Sequence, residues 1–328
     1  MNKKKLWILL ISGLVIGSFY ALRGRVSAVP DKVTLFLLWE PQAQFLGYYA
    51  AESRGFFTDN GIEINIRHDL GVGDSLAQVE QKPNHFAVTQ FVNVLGSLNK
   101  KPGLDVTSVI SRGCNLGWLG PEKVEELLDT LERDKIRSWW GSQDILLRVL
   151  LALKNRSAGD MAQRVTNSSE ATDVKSELVM TYNEALDSPL SKPGNKIHTY
   201  CGLGMPVFED VIVTKAGATV ESIELNQRFA RAVWQGWDWA VKNPRDAIEI
   251  LMDRHPRKTK NQQEAMFNTF SKSLIKPEDA GATLPEYFDT IQNIESKGFE
   301  NKNEEIRSLS ARMLASKNLR LVNGSTLK

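Results

Sequence analysis

At 328 residues, with 42% hydrophobic and 24% charged side chains, the chain has enough apolar material for two compact domains. Its 41 basic and 39 acidic residues give a formal charge of +2, but five of the basic ones precede Asp31, and without them the balance turns to about −3. That balance argues against a basic nucleic-acid surface. The two cysteines, Cys114 and Cys201, are too few for a disulfide framework or a zinc site. They read as two isolated buried thiols, with pairing open in an oxidising compartment.

Asn2-Lys3-Lys4-Lys5 forms a positive segment, Leu6 to Leu22 an apolar one, and Val26-Ser27-Ala28 a small-residue cleavage site. Residues 1–28 therefore read as an export signal. An uncleaved anchor is the alternative, since the apolar run approaches the shortest spanning length. Either places residues from about 30 onward on the outer, periplasmic or extracytoplasmic side. No cysteine follows the apolar run, so a lipid-anchor site is absent.

Val33 to Leu38 has the β-branched and aromatic content of a buried strand, ending at Trp39-Glu40-Pro41. A helix carries Phe45, Tyr48, Tyr49 and Glu52 at helical spacing and breaks at Gly55; Asp59-Asn60-Gly61 turns into a strand at Ile62 to Ile66. The unit is βαβ, and Trp39, Glu40, Gln42 and Gln44 crowd the end of its first strand, where ligands bind in open parallel sheets. Asp74 or Ser75 is expected to cap the helix through Leu76 and Val79. His85 to Gln90 is a third strand ending in the polar Thr89 and Gln90, with a helix Phe91 to Leu98 behind it, and Asp105 to Ser111 is a fourth. This alternation predicts a parallel α/β sheet.

From Arg112 to Gly120 the pattern loosens. A helix over Pro121 to Glu132 has proline in its first turn. A strand over Ile136 to Trp140 and a helix over Gln143 to Leu153 suit a second, smaller α/β domain. Leu178 to Glu184 is a strand ending in Tyr182-Asn183-Glu184; another lies near His198 to Tyr200. Glu209-Asp210 leads into the strand Val211 to Thr214, which reads as a crossover back to the first domain. Phe229, Val233, Trp234, Trp237 and Val241 then give a broad apolar helix face, which reads as core.

The four histidines are scattered, with no metal-ligand spacing, and no nucleophile elbow or phosphate loop is present. The residues thus predict no catalytic group, metal or cofactor. Trp39, Tyr48, Trp118, Trp140 and Tyr182, with Glu40, Glu184, Glu209 and Asp210 between them, instead suit a cleft for a flat, nitrogen-rich heterocycle. Rings stack on such a solute while carboxylates and amides read its donors. Gln44, Thr89, Gln90 and Asn183 complete the candidate set.

Trp39-Glu40-Pro41-Gln42-Ala43-Gln44-Phe45-Leu46-Gly47-Tyr48-Tyr49-Ala50-Ala51, then Gly55-Phe56-Phe57, resembles the opening of the solute-binding proteins related to thiamine-pyrimidine synthases. Met180-Thr181-Tyr182-Asn183-Glu184, Phe208-Glu209-Asp210 and Phe229 to Trp237 ahead of Asn243-Pro244 extend the resemblance over roughly residues 33 to 320. The resemblance implies a type II periplasmic-binding-protein fold: two α/β lobes joined by a two-strand hinge, with C-terminal helices. Residues 30–112 and 206–328 would form lobe 1, and 113–205 lobe 2. It also implies a monomer that binds a pyrimidine precursor of thiamine and passes it to an ABC permease. An extracytoplasmic sensing module is the alternative. A synthase is disfavoured: Cys201-Gly202-Leu203-Gly204-Met205 stands where those enzymes carry a cysteine-rich cluster, and their cofactor lysine has no counterpart. If Cys114 and Cys201 lie on adjacent crossings, they would form a hinge disulfide.

Overall fold

A computed structural model describes residues 29–91, 93–94, 103–111, 115–138, 141–157, 165–166, 173–205, 209–217 and 219–274. The expected export signal, Cys114, Trp140 and the C-terminal tail lie outside these residues.

The first sheet contains β1 (Asp31–Phe36), β2 (Ile62–Arg67), β3 (His85–Gln90), β4 (Leu104–Val109) and β10 (Asp210–Lys215), in the order β2-β1-β3-β10-β4. The second contains β5 (Leu116–Pro121), β6 (Ile136–Arg137), β7 (Val165–Thr166), β8 (Ser176–Met180) and β9 (Asn195–Thr199), in the order β7-β6-β8-β5-β9. We call the body around each sheet a lobe.

Neither sheet is wholly parallel, which corrects the sequence expectation. β1 runs parallel to β2 and β3, but β10 returns antiparallel between β3 and β4. In the second sheet β5 is antiparallel to both β8 and β9. β5 is also the element that the sequence hid. Leu116-Gly117-Trp118-Leu119-Gly120-Pro121 carries glycines that read as loop. A Cβ on Gly117 would lie 2.6 Å from the His198 carbonyl oxygen, and one on Gly120 2.9 Å from Leu127 Cδ1. The glycines are there because neighbouring chain passes too close for a side chain. Pro121 therefore ends a strand, and the helix begins later, as α4 (Val124–Arg133).

In the first lobe a 3-10 turn, Ala43–Phe45, runs into α1 (Leu46–Ser53), followed by α2 (Phe56–Asp59) and α3 (Val72–Gln81). Gly71 is the N-cap of α3, ahead of the expected cap at Asp74 or Ser75. Gly55 and Gly61 adopt φ of +77° and +70°, the left-handed turns that punctuate the βαβ unit. In the second lobe α5 (Gly141–Leu153) follows β6, and β8 stops at Met180 instead of continuing through Glu184. Residues 181–183 turn, and Glu184 opens α6 (Glu184–Asp187).

After β10 the chain forms α7 (Val220–Lys242), α8 (Pro244–Met252) and α9 (Lys260–Phe270). Thr219 caps α7 through Ser222 N, Pro244 opens α8, and Thr259 with Gln262 makes a capping box on α9. α7 packs on α1 at very short range: a Cβ on Gly236 would lie 2.1 Å from the Gly47 carbonyl oxygen. Behind this crossing Phe229 stacks on Phe86 with centroids 4.0 Å apart, and Trp237 meets Tyr48 edge-on at 5.9 Å. The aromatic face of α7 is core at Phe229, Val233 and Trp237, as its spacing predicts, with Trp234 half-buried; Val241, expected on the same face, is instead exposed near the helix end.

Cys201 is disulfide-bonded, so the expectation of isolated thiols is corrected. Among the described residues no helix is long and apolar enough to cross a membrane.

Candidate ligand-binding site

The Gln90–Asp210 end of the strand pair β3–β10 points at the second lobe. Gln90 and Asp210 are register partners, so their side chains share one face of the first sheet where it meets the crossing. The 3-10 turn after β1 brings Gln42 and Gln44 to the same place. Gln44 Nε2 lies 2.9 and 2.7 Å from the two carboxylate oxygens of Asp210, and Gln42 Nε2 donates to Gln44 Oε1 at 2.6 Å. From the other lobe, Asn183 Nδ2 reaches Gln42 Oε1 at 3.4 Å and Glu184 Oε1 at 3.3 Å. Amides therefore run in series from Asp210 across the lobe boundary to Glu184.

Glu209 stands beside Asp210. Its Oε1 accepts the Asn115 backbone N–H at 2.6 Å, while its Oε2 is buried with no hydrogen-bond partner among the described residues. Asn115 also donates to Ser273 Oγ at 2.7 Å and accepts from Thr181 Oγ1 at 3.1 Å, pinning the crossing, the C-terminal segment and the Tyr182 turn together. Burial, then the Asp210 charge, pushes Glu209 up to about 8; burial pushes Asp210 up to about 7 against the opposing pull of the Gln44 amide. Burial also raises Glu184, although Met180 N donates to its Oε2 at 2.9 Å.

The walls are aromatic. Tyr182 is buried, its ring edge-on to Phe270 at 5.0 Å and its hydroxyl 2.7 Å from Met180 Sδ. Phe270 continues to Trp237 at 5.5 Å and Trp237 to Tyr48, so a line of four rings passes beside Asp210 from one lobe to the other. The Asp210 charge raises the hydroxyls of both Tyr48 and Tyr182 after burial itself.

The structure thus gathers Gln44, Tyr48, Gln90, Tyr182, Asn183, Glu184, Glu209 and Asp210. Gln90 Nε2 is 3.9 Å from Met180 Sδ, a contact between the lobes. Thr89 faces away, its hydroxyl accepting from Asn93 Nδ2 at 3.2 Å. Trp39 stands at the rim, 50% exposed, and Glu40 Oε2 is 2.5 Å from Arg257 Nε. Trp118 is buried, with its Nε1 donating to Tyr200 Oη at 3.1 Å within the second lobe, so its described contact is one of packing. Trp140 lies outside the described residues. Sequence reasoning missed Asn115, Phe270 and Ser273. Phe270 has a signal, an apolar residue at helical spacing after a capping box, but nothing local marks Asn115. Among the described residues no group of three or more His, Cys, Asp or Glu side chains is placed to hold a metal ion.

Residues 42–115 match the family described as NMT1/THI5 like, the stretch from the amide turn to the first crossing. The formylaminopyrimidine-binding protein of Halalkalibacterium halodurans is 22% identical over 279 residues, covering 81% of this chain and 82% of that protein. A riboflavin-binding protein of Chloroflexus aurantiacus is 22% identical over 238 residues, covering 69% of this chain and 67% of the relative. Among solved structures, the periplasmic aliphatic sulphonate-binding protein of Escherichia coli has a TM-score of 0.59 at 11% identity, covering 85% of this chain and 91% of that one. The alkanesulfonate-binding protein of Xanthomonas axonopodis, bound to MOPS, also scores 0.59 at 14% identity, over 88% and 99% of the two chains. At such identity the likeness establishes architecture. The chain has the fold of the periplasmic binding proteins, and residues 42–115 are NMT1/THI5 like.

Proposed function

We propose that this chain is an exported solute-binding protein that encloses a small, flat, donor-rich heterocycle between its lobes and presents it to an ABC permease. A pyrimidine precursor of thiamine is the solute class that fits best. The observation that carries the reading is the Glu209–Asp210 pair: two adjacent buried carboxylates, one held by the Gln44 amide and the other with an oxygen that has no hydrogen-bond partner among the described residues. Such a pair suits a ligand with clustered N–H donors or a delocalised cation. Either carboxylate in its ionised form disfavours a sulfonate, so the solutes named for the structural neighbours are not proposed for this chain.

The amides of Gln42, Gln44 and Asn183 supply both donors and acceptors for the ring nitrogens and exocyclic groups of an aminopyrimidine. Tyr182 supplies an aromatic wall. The function proposed is binding without turnover by a monomer, with lobe 1 from 30–112 and 206–328 and lobe 2 from 113–205. The export signal at residues 1–28 delivers it to the extracytoplasmic side.

Titrating the purified chain with 4-amino-2-methylpyrimidine, riboflavin and an alkanesulfonate, followed by tryptophan fluorescence, tests this. Saturable binding of the aminopyrimidine is expected, with no response to the sulfonate. Sulfonate binding with a silent aminopyrimidine would overturn the solute class.

A further inference from the structure

We propose that Lys258 and Gln262, acting through Asp187, form a clasp that positions the Tyr182–Glu184 turn and sets how fast the cleft releases its solute. The release half of this proposal rests on the solute-binding reading; the positioning half does not.

α6 is a single turn, with Asn183 and Glu184 at the cleft end and Asp187 at the other, about 4.5 Å along the axis. A group that holds Asp187 holds the site turn. Both oxygens of Asp187 are taken by residues packed with the opposite lobe: Lys258 Nζ pairs with Oδ2, and Gln262 Nε2 donates to Oδ1 at 3.1 Å. α9 is in turn fastened to the first lobe, because Gln263 Oε1 accepts the Ala43 N–H at 2.8 Å beside Gln44. The clasp therefore spans the mouth from the amide turn of one lobe to the acidic turn of the other.

Gln262 is preorganised for this task. Its Oε1 accepts the Thr259 backbone N–H at 3.0 Å, and Thr259 Oγ1 accepts from Gln262 N, the reciprocal pair of a capping box. One face of the amide starts the helix, and the other reaches Asp187. The Lys258 charge and hydrogen bond hold the Asp187 carboxyl below its usual range, as expected of a partnered anion.

This double use of one side chain separates clasp from scaffold. Gln262→Glu keeps an acceptor for the capping box but sets a carboxylate against Asp187. The experiment is amide hydrogen exchange over residues 181–188 in the full chain, together with stopped-flow release of 4-amino-2-methylpyrimidine. For Gln262→Glu and Asp187→Asn, exchange over 181–188 and release are both expected to quicken by about three- to tenfold, with association within twofold of wild type. Exchange in α9 should stay unchanged in Gln262→Glu. Asp187→Lys combined with Lys258→Asp should recover much of the protection. Wild-type exchange over 181–188 in both single variants would overturn the clasp, as would an increase spread equally across α9 and the first lobe. If the pyrimidine does not bind the wild type, the solute assignment fails and the exchange result alone decides the clasp.

Discussion

Gln44 and Asp210 lie 166 positions apart in the chain, yet one amide nitrogen bridges both oxygens of the carboxylate at 2.9 and 2.7 Å. Gln44 sits on the turn that follows the first strand, and Asp210 begins the strand that returns from the second lobe. Gln44→Leu removes the side-chain donor that Asp210 has among the described residues. Hydrogen bonds to charged groups contribute about 1.5–3 kcal/mol, so solute affinity is expected to fall about tenfold or more. Isothermal titration of the variant checks this; unchanged affinity would place Asp210 outside the pocket.

The acidic pair also sets a pH dependence. Glu209 and Asp210 have folded-state pKa values raised to about 8 and about 7, so the native state binds more protons than the unfolded chain between about pH 4 and 8. Stability of the solute-free protein therefore falls as pH rises through that window and levels off above it. Melting temperatures measured from pH 5 to 9 should show the decline, with Asp210→Asn flattening part of it. A rise in stability with pH over this window would contradict the burial of these carboxylates.

Trp118→Phe is the control for the cleft. It leaves Tyr200 Oη without its indole donor and shrinks a buried ring, at a cost of about 1–3 kcal/mol. Denaturant unfolding should register that loss while solute affinity stays within about twofold. Tyr182→Ala, in contrast, is expected to weaken binding strongly, because Tyr182 abuts Phe270 where the lobes meet.

Gly236→Ala addresses the crossing of α1 and α7. The new methyl would meet Gly47 O at 2.1 Å and Ala51 Cβ at 2.7 Å, so the helices must separate. The gain in helix propensity, about 1 kcal/mol, is outweighed by overpacking of about 1–3 kcal/mol or more. A drop in the thermal midpoint is expected, together with a shifted position for Tyr48. A higher midpoint would show that the crossing is slack.

The strands whose apolar residues cluster were legible in the sequence: β1, β2, β3 and β10 fall within two residues of the expected spans, and α7 shows its buried stripe in its spacing. β5 was not, because glycine at 117 and 120 is the mark of a loop locally and the mark of close backbone approach only once His198 and Leu127 are in place. The direction of β10 was equally hidden, since a strand's residues do not encode which neighbour it pairs with. In the site, Gln44, Asn183 and Asp210 stood out as polar residues at element ends. Trp118 lies in a glycine-rich stretch that looks accessible until its sheet partners bury it. Asn115 acts through its backbone and an amide in an otherwise featureless connection, so only the assembled crossing reveals it.

The place of β10, inserted between β3 and β4, orders events during synthesis. Every strand of the second sheet lies within residues 116–199, whereas the first sheet has a gap until residues 210–215 have left the ribosome. The lobe that starts first therefore closes last, and its closure is a long-range event of the slow kind. Asp210, the first residue of the late strand, makes its part of the cleft appear only after every strand of the second sheet has been synthesised.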